Sequence, residues 1–263
     1  MDWTWIAVAR ESEDSLKSLH KVARILECFS SSHRALSLGE ICRRTELPKS
    51  TAHRLLASMR EVGLLDQDRD RERYRLGLWL FELGNLVLAN MELHREARPI
   101  AEQLGRIGGQ VVHLAVFDGV QAVVINRSDP HADGKTVPSL LENAPAHSTS
   151  VGKAILAFQP EAVVDRVIDL GLRRFTDTTI TDPDALKAEL AAIRQRGYSI
   201  DDAEHEPGLR CVGAPIRDQS ARVFASISLS GPAWRMPMAE VEGLAKIVIH
   251  HAGMIAARLG YAG

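Results

Sequence analysis

Apolar residues return every three to four positions through the first part of this chain. Leu19, Val22, Ala23, Leu26 and Phe29 mark one face of a helix over residues 15–29. Leu38, Ile41 and Cys42 mark a second, opened at Leu38 by the capping box of Ser37 and Glu40. Residues 45–47 break it, and Pro48 opens a third in the first turn, where its missing N–H costs nothing. Along that third helix Ala52, Leu55, Leu56 and Met59 recur at i, i+3, i+4 and i+7. After Gly63 the period shortens. Residues 64–67 and 73–76 flank the charged stretch Asp68-Arg-Asp-Arg-Glu72, which predicts a β-hairpin. Residues 78–91 are apolar nearly all round, so that helix must be covered on more than one side. A second subunit is the expected cover, with the helix continuing through Leu93 and Ala97 to Pro99.

The rest alternates helix and strand signals. A helix over residues 100–107 ends at Gly108-Gly109, and residues 111–117 and 120–126 pair across an Asp118-Gly119 turn. Residues 128–145 read as a long polar loop, of the kind that is functional or mobile. Short helices follow over 150–158 and 161–170. Asp182-Pro183 caps a helix that Gly197 stops. Strands over 211–216 and 221–229 precede a last amphipathic helix after Pro237. Helices interleaved with antiparallel hairpins make an α+β domain.

Charge distribution sharpens the division. Among 263 residues the net charge is −2, but residues 15–80 carry 13 Lys and Arg against 8 Asp and Glu. Residues 81–263 carry 18 against 22. A basic head on an acidic body fits a DNA module joined to something else. Cys28, Cys42 and Cys211 lack disulfide or zinc spacing, which predicts a reducing cytoplasm, and no metal site is indicated. With no apolar run of spanning length, a soluble protein with no membrane partner is expected. Residues 1–14, with Trp3 and Trp5, read as an N-terminal arm that packs on a partner, as a disordered tail, or as the product of a start codon chosen too early.

Two short helices with a tight turn describe a helix-turn-helix, whose second helix has the shape that enters a major groove. Opposite its core face stand Lys49, Ser50, Thr51, His53, Arg54 and Ser58, with no carboxylate before Glu61. An ordinary αα-hairpin would tolerate acids there. Their absence favours double-stranded DNA. In the hairpin wing, Arg69, Arg71 or Arg73 could meet phosphate or a minor groove, or simply be solvated.

The run Leu47-Pro-Lys-Ser-Thr-Ala-His-Arg-Leu-Leu56 resembles the recognition-helix motif of the IclR family of bacterial transcription regulators, although Glu46 stands where relatives often have Gly. Three further fragments match family signatures in order: Pro145-Ala-His-Ser-Thr-Ser-Val-Gly-Lys-Ala154, Asp201-Asp-Ala-Glu-His-Glu-Pro-Gly-Leu-Arg-Cys-Val-Gly-Ala-Pro215, and Ser226-Ile-Ser-Leu-Ser-Gly-Pro232. The resemblance implies a winged helix-turn-helix domain (15–77), a linker helix (78–97) and a GAF-like effector-binding domain (98–263). It implies a ligand-responsive regulator acting on an operator as a homodimer or homotetramer, with a small organic acid or related metabolite as effector. The corresponding effector positions are Ser150, Val151, Asp201, Cys211, Ser228 and Ser230. Read without it, Cys211 is equally a small core residue, Asp201 a cap, and the serines a polar strand face. The competing class is an enzyme using a Ser/His or Cys site in the body. No G-x-S-x-G elbow or H-E-x-x-H motif supports it, and neither a cofactor nor a catalytic residue is expected.

Overall fold

The structure is a computed structural model and describes residues 15–30, 32–68, 72–90, 92–131 and 142–262. Two compact units divide between Val87 and Leu88, inside the stretch expected as a linker. The proposed arm (1–14), the wing arginines Arg69 and Arg71, and most of the predicted polar loop lie outside the described residues.

The first unit contains α1 (Ser15–Leu26), β1 (Leu36–Ser37), α2 (Leu38–Thr45), α3 (Lys49–Glu61), β2 (Leu65–Asp68) and β3 (Arg73–Leu76). The capping box forms: Ser37 Oγ accepts the N–H of Glu40, and Glu40 Oε2 accepts the N–H of Ser37 at 2.7 Å. Glu46 then turns the chain in the left-handed region, with φ of 55°. Pro48 precedes α3 as its N-cap rather than sitting inside the first turn. Ile25, Ile41, Ala52, Leu56, Met59, Leu65 and Tyr74 close one small core. The face expected for α1 is corrected: Ile25 and Cys28 are buried, while Leu19 and Ala23 are exposed. The helix stops at Leu26, and i+3 hydrogen bonds tighten its end so that Cys28 turns inward.

The predicted wing forms with a third strand that periodicity did not reveal. β1 adds to the hairpin, pairing Leu36 with Tyr74 and Ser37 with Arg73. Arg73 is engaged within this unit. Its guanidinium meets Glu40 Oε2 at 3.0 Å and the Ala35 carbonyl at 3.3 Å.

Next come α4 (Leu78–Asn90) and α5 (Glu92–Gly108). A separate body helix beginning at Ile100 was expected, but α5 runs through Pro99. Leu93, Ala97, Ile100, Ala101 and Leu104 form one buried face, and that packing outweighs the hydrogen bond Pro99 cannot make. The body then comprises β4 (Val111–Phe117), β5 (Ala122–Ser128), β6 (Glu142–Ala144), α6 (Ser150–Leu156), α7 (Glu161–Asp169), α8 (Pro183–Arg196), β7 (Ser199–Asp202), β8 (Leu209–Arg217), β9 (Val223–Pro232) and α9 (Val241–Arg258). Six strands make one antiparallel sheet in the order β6-β5-β4-β9-β8-β7.

Alternation along the strands gives this sheet two different faces. Val112, Leu114, Val212, Ala214, Ile227 and Leu229 pack with α5 and α9 in the main core. The opposite face carries α6, whose Val151 and Ile155 pack with Ala115 and Val124. α6 lies close because Gly213 has no side chain: a Cβ there would stand 2.8 Å from the Ser150 carbonyl oxygen. Ser199 Oγ donates to that oxygen at 2.6 Å, and Ser226 Oγ donates to the Val151 carbonyl at 2.9 Å. The neighbouring α7 and α8 close a further small core around Leu156, Val164, Leu186 and Leu190.

Candidate DNA and effector sites

Ala52, Leu56 and Met59 anchor α3, which fixes what its other face can present. Lys49, Ser50, His53 and Arg54 are exposed, and Thr51 is half-buried. Basic and small polar groups therefore share the outward side of a rigid helix, a surface suited to phosphate and base edges.

In the body, the uncovered part of the α6-bearing sheet face opens into a cavity of about 530 Å³. Ser150, Val151, Asp201, Cys211, Ser228 and Ser230 all line it. The register shows how three distant stretches meet. Asp201 pairs with Cys211, Cys211 with Ser230, and Ser230 with Val111, which makes one row across four strands. One row along, Gly213, Ser228, His113 and Arg127 are successive partners. Ser226 shares the strand face but is spent on holding α6.

Burial sets the chemistry of this floor. The Cys211 thiol, which donates to Ser230 Oγ at 3.1 Å, is pushed up to about 12 chiefly by burial. It is a neutral polar group rather than a thiolate nucleophile. Burial, and then the charge of Arg127, pushes His113 down to about 4, so its imidazole is neutral near pH 7. Asp201 is pushed up to about 6 by burial, against the N–H groups of Glu204 (2.8 Å) and His205 (3.4 Å) that its Oδ1 accepts. Behind Asp201, Lys153 is fully buried. Its Nζ pairs with Glu204 and lies 3.9 Å from Glu189. Glu204 is pushed up to about 7, burial outweighing the lysine. This pair ties α6 to the loop after β7.

Sequence reasoning missed several lining residues. Gln110, His113, Arg127, Asn143 and Arg235 also face the cavity. Strand alternation was the available signal for one of them: once Val112 and Leu114 are placed in the core, His113 must face the other way. Arg127 pairs with His113 and shares its face with Val124 only because a bulge interrupts the alternation of β5, which the sequence does not announce.

Residues 18–69 match the model of the IclR helix-turn-helix domain, and residues 85–257 match that of the bacterial transcriptional regulator IclR C-terminal domain. The chain belongs to the IclR family. It is 32% identical over 249 residues to the HTH-type transcriptional regulator KdgR of Escherichia coli (strain K12), covering 94% of each chain. It is 33% identical over 237 residues to the acetate operon repressor of Salmonella typhimurium, covering 89% of this chain and 86% of that one. An IclR homolog from Microbacterium hydrocarbonoxydans, solved in complex with 4-hydroxybenzoate, is similar at 30% identity with a TM-score of 0.75. That match covers 92% of this chain and 98% of the other. Winged helix and GAF-like α+β body are thus the IclR architecture, and the protein is a DNA-binding transcription regulator rather than an enzyme. Among the described residues, no helix is long and apolar enough to cross a membrane.

Proposed function

We propose that this IclR-family regulator contacts its operator through Lys49, Ser50, Thr51, His53 and Arg54, and is controlled by a small organic acid bound in the body cavity. The observation that carries the ligand half is convergence: six residues from three separate stretches line one cavity. Its volume lies within the roughly 300–1,000 Å³ usual for small-molecule sites. Bound 4-hydroxybenzoate in a relative supports an acid as the ligand class. Operator contact rests on α3, whose outward face is basic and carries no acid before Glu61 at its end. A homodimer or homotetramer supplies two heads for a two-fold operator. Support for it is the exposed Leu78, Trp79, Phe81 and Leu83 on the first turns of α4. The working compartment is the cytoplasm, where the operator is.

A ligand shifts such a regulator only through its different affinity for the two conformations. The test is therefore a gel shift on an operator selected by the wild-type protein from random DNA, with and without catabolic acids. Cys211→Ala with Ser228→Ala should keep DNA affinity while moving the acid response to higher concentration. An unmoved response in the double variant places the effector elsewhere.

A further inference from the structure

We propose that the cavity takes an elongated anion, with its carboxylate held at the β5 edge by Arg127 beside His113 and a hydroxyl at its other end received by Asp201. This rests on reading the cavity as the effector site, and adds the length, orientation and charge of what fills it.

The floor between those two residues is uncharged. Cys211, Ser230 and Ser228 offer a neutral thiol and hydroxyls, and His113 a neutral imidazole. Charge enters at the edges. Asp201 is predominantly ionised near pH 7, so it repels a carboxylate and suits a hydroxyl donor. Arg127, on the opposite side, is exposed and has no carboxylate partner among the described residues. Other arginines of the body do: Arg196 pairs with Glu189 at 2.6 Å and Arg210 with Asp202 at 2.7 Å. The nearby Asp129 turns to its own loop, where its Oδ1 accepts the N–H of His131 at 2.9 Å. Glu206 and Arg235 are exposed residues of the lining, the latter stacked on Trp234.

Distance then decides the length of the ligand. Asp201 lies on β7 and Arg127 on β5, with β8, β9 and β4 between them. Four inter-strand steps amount to about 19 Å between backbones before curl and side chains shorten the gap. A short acid leaves most of that gap open. A rigid ring with a carboxylate and a hydroxyl at opposite ends reaches further, with the long Arg127 side chain left to close the rest.

Calorimetry on the full chain with 4-hydroxybenzoate, 4-hydroxybenzamide, benzoate and acetate tests this. Wild type should bind 4-hydroxybenzoate most tightly of the four. Arg127→Gln should lose about tenfold to a hundredfold on the acid and leave the amide unchanged, which erases the preference between them. Asp201→Asn should weaken 4-hydroxybenzoate but not benzoate. Because Arg127 is exposed, its variant should melt as wild type does. The proposal is overturned if Arg127→Gln binds the acid as wild type does, or if acetate binds more tightly than 4-hydroxybenzoate. In both cases the effector reading survives. If none of the four binds while DNA binding is intact, the proposal falls as well, and the effector reading is decided by the acid response of the Cys211→Ala, Ser228→Ala variant.

Discussion

Burial works against the charge of Asp201, and two backbone N–H groups only partly offset it, so its carboxyl rises from the ordinary 3.8 to about 6. The folded chain therefore holds this proton more tightly than the unfolded one. Below about pH 4 both states are protonated and nothing is lost. Between about pH 4 and 6 stability falls as pH rises, and above that the full cost, at most about 3 kcal/mol, is in place. Asp201→Asn keeps an acceptor for the loop and removes the charge. Its melting temperature should therefore exceed that of wild type at pH 8, with the gap closing towards pH 4. A gap that is flat with pH would show that burial does not control this group. Gly213 is the other residue on which the cavity depends. Gly213→Ala would press a methyl against the Ser150 carbonyl and, at 2.9 Å, Ser199 Oγ. Both belong to packed elements, so a cost of about 1–3 kcal/mol is expected, together with weaker acid binding as α6 is pushed off the sheet. Denaturant unfolding and calorimetry on one variant read both effects.

The turn between α2 and α3 carries a correctable strain. Glu46 sits at φ 55°, where a side chain costs roughly 1–2 kcal/mol and glycine costs nothing. Glycine also raises the entropy of the unfolded chain by roughly 0.4–1 kcal/mol. Glu46→Gly should then stabilise the first unit by somewhat under 1 kcal/mol, seen as a raised urea midpoint with DNA affinity unchanged. On α3 itself, Arg54→Ala should weaken binding to the selected operator by about 1–3 kcal/mol if its guanidinium reads a base. Lys49→Ala should weaken operator and random DNA alike, with a shallower salt dependence. Gel shifts that are unchanged in both variants would remove α3 from the interface. Elements with long periods or strong caps were legible in sequence: α2 by Ser37 and Glu40, α8 by Asp182 and Gly197, and the β4–β5 hairpin by Asp118-Gly119. The short strands were not. β1 has two residues, β6 three, and β7 reads Ser-Ile-Asp-Asp, polar because its inner side faces a cavity and α6 rather than a core. For the same reason the floor of the cavity was reached only through resemblance, and Arg127 not at all. Which side chains share a cavity depends on strand order and register, and neither is written in local periodicity.

At the scale of the whole molecule, the first turns of α4 show more apolar surface than a lone chain should. Leu78 is 68% exposed and Phe81 56% exposed, with Trp79 and Leu83 beside them in sequence. One Phe at such exposure is unremarkable, but four large apolar residues within six positions of one helix favour association. An oligomer built through α4 would also meet a need of the DNA-binding head. A single α3 reads one half-site, whereas two heads can occupy half-sites about one helical turn, roughly 34 Å, apart. Phe81→Glu tests the two ideas together. Placing a carboxylate in an apolar contact leaves it either desolvated or repelling its copy, so the variant should shift towards monomer in light scattering at micromolar concentration. Since Phe81 is exposed within one chain, the fold of each unit should survive, with unchanged circular dichroism and acid binding. Affinity for a two-half-site operator should drop steeply, while affinity for a single half-site should stay near that of wild type. Wild type running as a monomer, or Phe81→Glu binding the full operator undiminished, would remove α4 from the assembly.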